Sequence, residues 1–185
     1  MSKSALVFGA SGVTGWSFIN EILSDYPAQN VWKRAHALSN RPLTLSQSQW
    51  PEDPRLNMVS GIDLLANNQE SIEKQMQHKI PDISEVTHVY YFAYKAGMDI
   101  AKEQEEALDM FSKAVKAVDK LCPNLEFVVL QIGSKYCMLL SPDPGVCLVR
   151  ILTPEKMAAI SKLCSHGTTN PLSKVLPHRR YPHRR

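Results

Sequence analysis

"SALVFGASGVTGW", residues 4–16, decides the fold. Ala5, Leu6, Val7 and Phe8 run without polar alternation, the pattern of a strand buried on both faces. Glycines follow at 9, 12 and 15. Val13, Trp16, Ile19 and Leu23 then recur at spacings of three and four. That spacing predicts a helix from about Val13 to Ser24 with those four residues on its inner face. A buried strand, a tight glycine turn and an amphipathic helix together open a parallel α/β sheet.

The rest of the first 133 residues repeats this alternation. "RAHALSN" (34–40), "LNMVSGID" (56–63), "THVYYFAY" (87–94) and "LEFVVLQIG" (125–133) read as further strands. Residues 67–80 read as a helix with an asparagine cap and with Ile72, Met76 and Ile80 four apart. Residues 99–121 read as a long helix whose Ile100, Leu108, Phe111, Val115, Val118 and Leu121 face inward. "PLTLSQSQWPEDPR" (42–55), broken by three prolines, reads as a loop. The expected fold is a doubly wound α/β parallel sheet of about five strands with right-handed crossovers. Its expected strand order is 3-2-1-4-5, with the ligand crevice beside the first strand, where the winding reverses.

A chain of 185 residues is sized for one domain, burying roughly 70% of its unfolded surface. Apolar residues at 44% and charged residues at 21% are those of an ordinary globular protein. No signal-peptide pattern and no bilayer-length apolar run is present, so a cytoplasmic location without membrane contact is expected. Cys122, Cys137, Cys147 and Cys164 follow no zinc-ligand spacing and read as reduced thiols; no metal site is expected. Charge divides the chain. Residues 1–137 hold 13 Lys/Arg against 16 Asp/Glu, whereas residues 138–185 hold 8 against 2 and six of the twelve prolines. The expected boundary is therefore at 137, with a divergent, irregular, partly disordered basic tail over 138–185. Within that tail "GVCLVRIL" (145–152) could form a strand, and Thr153 and Pro154 could start a helix that Gly167 ends. Its last residues, "HRRYPHRR", are a solvated tail or a nucleic-acid or import segment. Six net positive charges without interleaved aromatics are too few to favour nucleic acid.

The glycines carry the first chemistry. Their spacing is G-x-x-G-x-x-G. Gly9 permits the turn, Gly12 lets a pyrophosphate approach the backbone, and Gly15 lets the helix pack on the sheet. Amides at the helix start, those of Val13 and Thr14 among them, then face the phosphates, with the helix dipole adding a few tenths to roughly 1 kcal/mol. The second strand ends in Asn40 and Arg41, where a carboxylate would have bound ribose hydroxyls. A guanidinium can take a 2′-phosphate bidentately, which favours NADP(H) over NAD(H); the other reading is a surface arginine. Asp63 is either an adenine contact or a cap or turn residue. Leu64, Phe92 and Ala93, at the ends of the third and fourth strands, complete the candidate cofactor contacts. Tyr91 and Lys95 have Y-x-x-x-K spacing, but they lie about 13 Å apart on a strand and would be about 6 Å apart on a helix. Tyr91 is therefore read as core.

"LVFGASGVTGW", "LSNRPL", "WPEDPRLNMVSGIDL", "VTHVYYFAYK" and "VDKLCPNLEFVVLQIGSKYC" together resemble the progesterone 5β-reductase/iridoid synthase-like (PRISE-like) branch of the extended short-chain dehydrogenases. The resemblance covers about residues 4–137. It implies a Rossmann domain that uses NADPH to reduce the double bond of enones or enals. It implies a catalytic lysine just after the fifth strand, matched by Lys135 in "QIGSKY". The family's tyrosine, in a later N-x-x-Y motif, has no counterpart: only Tyr181 follows Tyr136. Tyr136 is a poor substitute, because neighbouring strand residues face opposite sides. The expected function is the NADP(H)-binding part of an enone- or enal-reducing enzyme, truncated and without its tyrosine. The alternative is a non-catalytic nucleotide-binding or redox-sensing module resembling the NmrA type. With the later strands absent, Phe127, Val129 and Leu130 put an apolar fifth strand at or near the sheet edge, a route to self-association.

Overall fold

The computed structural model describes residues 2–131 and the backbone of 149–152. Strand β1 (Lys3–Phe8) leads through the glycine turn into α1 (Val13–Leu23). Then come β2 (Trp32–Ser39), the short α2 (Leu45–Ser48), β3 (Leu56–Ser60), α3 (Gln69–Lys79) and a 3₁₀ turn over Ile83–Glu85. Strand β4 (His88–Tyr91), α4 (Ile100–Leu121), β5 (Phe127–Gln131) and β6 (Val149–Leu152) complete the described elements. The sheet order is β3-β2-β1-β4-β5-β6. The first five strands are all parallel, in the order that the alternation predicts.

Side chains alternate across the sheet because a strand points successive residues to opposite faces. Ala5, Val7, Ala35, Ala37, Tyr90 and Val129 pack with Ile19, Ile22 and Leu23 of α1. Leu6, Phe8, Leu38, Val89, Tyr91, Val128 and Leu130 pack with Ile72 and Met76 of α3 and Phe111, Val115 and Val118 of α4. The helix caps follow local rules. Asn68 accepts from the Ser71 amide at 2.8 Å, and Asp99 accepts from the amides of Ala101 and Lys102 at 2.9 and 3.2 Å.

Three local expectations are corrected. Val13 does not face the core: it is 90% exposed, and Trp16 is also exposed, because Gly15 is the residue of that turn that packs inward. The buried face of α1 is Gly15, Ile19, Ile22 and Leu23. Ile100 is exposed as well, and the buried residue of the first turn of α4 is Glu103. The segment read as a loop over 42–55 contains α2, started by a capping box in which Thr44 accepts from the Gln47 amide and Gln47 Oε1 accepts from the Thr44 amide.

At the other end of the sheet, β6 pairs antiparallel with β5, matching Val128 with Leu152 and Gln131 with Val149. It lies within the segment "GVCLVRIL". Strand β5 is thus a near-edge strand, with its outer backbone groups paired along this ladder. The expected boundary at residue 137 and the tail features beyond Leu152 lie outside the described residues. No helix among the described residues is long and apolar enough to cross a membrane.

Candidate functional site

The glycine turn is the best-defined part of the site. Gly9 has φ +78°, the left-handed region that glycine tolerates. A Cβ on Gly9 would stand 2.6 Å from the Ala93 nitrogen and 2.7 Å from the Phe92 carbonyl carbon. The turn therefore rests directly on the backbone that leaves β4. A Cβ on Gly15 would stand 2.3 Å from the Gly9 oxygen and 2.8 Å from Ala10 Cα, so α1 packs against the turn without room for a side chain. Gly12 differs. A Cβ there would meet only the Gly9 oxygen, at 3.4 Å, and would otherwise point into open space. The amides of Gly9 and Ala10 both donate to the Leu38 carbonyl, at 3.1 and 3.0 Å, tying the turn to β2.

The helix start presents free donors to that open space. The Gly12 amide donates to the Gly9 carbonyl at 3.0 Å, and the Trp16 amide makes the first helical bond, to Gly12, at 2.7 Å. The amides of Val13, Thr14 and Gly15 precede that bond and have no partner within the helix. No side chain caps Gly12, and the first turn carries no acidic residue. The residues thus fit a pyrophosphate: a cradle that a side chain at 12 would fill, with uncompensated donors behind it.

Around this turn the strand ends bring the other candidates together. Asn40 and Arg41 follow β2 and are exposed. The Arg41 guanidinium makes no ion pair with the described residues. Asn40 Nδ2 donates to Asp63 Oδ2 at 3.1 Å, so these two candidates meet directly. The other Asp63 oxygen accepts from the amides of Leu65 and Ala66, at 2.9 and 3.0 Å. The Ala66 amide foremost, with Leu65, Asn40 and the Lys95 charge adding, holds the Asp63 carboxyl below its usual range against partial desolvation. Asp63 therefore serves as a turn cap. Leu64 is buried in the core beneath that turn. Phe92 packs against Phe18 of α1 with ring centroids 5.7 Å apart, and Ala93 lies half-buried beside Gly9.

Lys135 and Tyr136 lie outside the described residues. Tyr91 is buried against Phe8 and Phe111, in keeping with its reading as core, and burial foremost pushes its phenol up; its hydroxyl has no hydrogen-bond partner among the described residues. Lys95 pairs with Glu106 at 3.0 Å. Beyond β4, buried Glu103 accepts from the Tyr94 hydroxyl and, at 2.9 Å, from the Gly97 amide, so it holds the strand-to-helix connection. Burial pushes the Cys122 thiol up to about 12, far from a reactive thiolate. No cluster of metal-ligating side chains occurs among the described residues.

The contacts that fasten α2 to α1 were not legible in the sequence. Trp16 Nε1 donates to the Ser48 carbonyl at 2.6 Å, and Trp50 Nε1 donates to the Trp16 carbonyl at 3.2 Å, so two indoles anchor α2 to α1. The "TLSQ" pattern at 44–47 was the available signal for the helix. Nothing in the sequence signalled which carbonyls the indoles would reach.

Residues 5–157 match the PRISE-like Rossmann-fold domain family. The short chain dehydrogenase ausT of Aspergillus calidoustus is 42% identical over 137 residues, which are 72% of this chain and 33% of that protein. The short chain dehydrogenase sirQ of Leptosphaeria maculans is 40% identical over 134 residues, 71% of this chain and 34% of that protein. The 3-oxo-Delta(4,5)-steroid 5-beta-reductase of Arabidopsis thaliana is 27% identical over 133 residues, 71% of this chain and 31% of that protein. The chain thus spans about a third of the length of the curated relatives it matches. Sheet order, glycine turn and matched residues agree: this is a nucleotide-binding Rossmann domain of the short-chain dehydrogenase kind, and the chain belongs to the PRISE-like Rossmann-fold domain family.

Proposed function

We propose that this chain is the NADP(H)-binding part of a reductase of enones or enals, and that the 185 residues by themselves bind the cofactor without reducing such a substrate. The observation that supports it most is the open cradle at Gly12 in front of free helix-start amides, with exposed Arg41 at the neighbouring strand end. The pyrophosphate would lie on the amides of Val13, Thr14 and Gly15. Asn40 and Arg41 would meet the adenosine end, with Arg41 on the 2′-phosphate. Asp63 would hold Asn40 in place and cap the turn over Leu65 and Ala66, which leaves adenine recognition to the rim those residues form. Gly9 against Phe92 and Ala93 would fix the middle of the crevice.

When bound, the cofactor supplies a hydride. The remaining chemistry of a conjugated double bond is charge: electron density moves to the carbonyl oxygen, which then needs a donor. The resemblance assigns Lys135 to that region. No N-x-x-Y follows it in these 185 residues, so the second donor would have to come from outside them. Preorganised donors of this kind are commonly worth about 10²–10³ in rate each, and orientation in a covered pocket several kcal/mol more. The purified chain should therefore bind NADPH in calorimetry. With NADPH and a panel of small enones and enals it should leave the nicotinamide absorbance unchanged above buffer. Turnover orders of magnitude above buffer that disappears in Lys135→Ala would overturn the non-catalytic reading.

A further inference from the structure

Arg41 stands in a turn whose backbone is held from the end of β3. The Leu43 amide donates to Ser60 Oγ at 3.2 Å. Ser60 Oγ lies 3.2 Å from Ser39 Oγ, and Ser39 Oγ donates to the Arg41 carbonyl at 2.8 Å. Each hydroxyl has one hydrogen to give. The Ser39 hydrogen is committed to Arg41, so Ser60 must donate to Ser39 while it accepts from Leu43. One arrangement satisfies all three bonds, and it runs from Ser60 through Ser39 to Arg41. The Gly61 amide reinforces it with bonds to the carbonyls of Ser39 and Asn40, at 3.0 and 3.1 Å. Ser39 is buried and Ser60 half-buried.

We propose that Ser60 is a positioning residue that sets the preference for a nucleotide bearing a 2′-phosphate, by fixing the Arg41 backbone through Ser39. The proposal rests on the reading of Arg41 given above. A guanidinium selects a phosphate well only when its fork is already aimed, because the ordering of a long side chain and a mobile turn is charged against binding. The serine pair removes the turn's share of that cost. Loss of Ser60 strands the Leu43 amide and removes the donor that orients Ser39 Oγ towards the Arg41 carbonyl, yet touches no atom of the pyrophosphate cradle.

The test titrates the full chain with 2′,5′-ADP and with 5′-AMP by calorimetry. Ser60→Ala should weaken 2′,5′-ADP about fivefold or more, the effect of one lost hydrogen bond, and change 5′-AMP by less than about twofold. Ser60→Thr, which keeps the hydroxyl, should retain the preference. Should Ser60→Ala fail to fold, Ser39→Ala removes the bond to Arg41 directly and should show the same selective loss. A preference that survives these alanine variants, or a loss equal for both nucleotides, overturns the positioning role while leaving Arg41 in place. Equal affinity of the unaltered chain for both nucleotides overturns the Arg41 reading, and the role of Ser60 with it.

Discussion

Two glycines one helical turn apart should respond to substitution in opposite ways. At Gly15 a Cβ would lie 2.3 Å from the Gly9 oxygen and 2.8 and 2.9 Å from Ala10 Cα and the Gly9 carbonyl carbon, all of them backbone. None can rotate away, so Gly15→Ala must push α1 off the turn. Overpacking of this kind costs about 1–3 kcal/mol, and backbone contacts so short put it at the upper end. The usual gain of about 1 kcal/mol for alanine over glycine inside a helix offsets part of it. The net loss should be about 1–2 kcal/mol, which lowers Tm by a few degrees for a chain of this size. At Gly12 the backbone has φ −81° and ψ 163°, an extended conformation that suits valine, and the nearest atom to a Cβ is 3.4 Å away. Gly12→Val should cost less than about 1 kcal/mol, mostly from a poorer N-cap. Its methyl groups would nevertheless fill the space before the free amides. Loss of two charge-assisted bonds at about 1.5–3 kcal/mol each should weaken either cofactor by more than about 100-fold. Thermal unfolding followed by circular dichroism, with calorimetry for NADPH and NADH, reads both. A stabilising Gly15→Ala, as at an ordinary helix glycine, or a folded Gly12→Val that binds NADPH undiminished would refute these roles of the two glycines.

Two further predictions concern stability. His36 is buried on β2; Asn57 Nδ2 donates to its Nδ1 at 3.1 Å, and its Nε2 has no partner among the described residues. Burial foremost, with the Arg34 charge adding and Asp82 opposing, lowers its pKa to about 4. The unfolded chain takes up a proton near the ordinary 6.5 while the folded chain does not, so stability falls as pH drops from about 6.5 towards 4. The share of His36 should be about 1.3 kcal/mol between pH 7.5 and 5.5. His88, also held low by burial first, adds with the same sign. Denaturant titrations of the chain and of His36→Leu across that range should differ by about this amount, and equal slopes would refute the assignment. Asp99→Ala removes the acceptor of two α4 amides and should cost about 1 kcal/mol by the same titration; no change would mean that the helix start is satisfied otherwise.

The buried centre of the fold was legible because its signals are short and local. The continuous apolar run in β1, the β-branched and aromatic residues of β4 and the asparagine cap at 68 each act within a few residues. The ends of helices were less legible. Val13, Trp16 and Ile100 fit the apolar period, but the inward residues of those turns are Gly15 and Glu103, which an apolar period does not pick out. In the site, the glycine turn between the first strand and the first helix followed from the sequence. The serine pair did not, since Ser39 and Ser60 meet only once β2 and β3 pair in register. The two readings of Asp63 were physically close, and the amides of Leu65 and Ala66 favour the turn cap.

The most direct test of the account is calorimetric titration of the chain and of Arg41→Ala with NADPH and with NADH. Arg41 is exposed and unpaired by charge among the described residues, so its removal should leave the fold intact. Loss of the guanidinium–phosphate contact should weaken NADPH by about 2 kcal/mol or more, roughly 30-fold, and leave NADH within about twofold. An equal loss for both cofactors, or no loss for either, would contradict the claim that this domain recognises NADP(H) through Arg41.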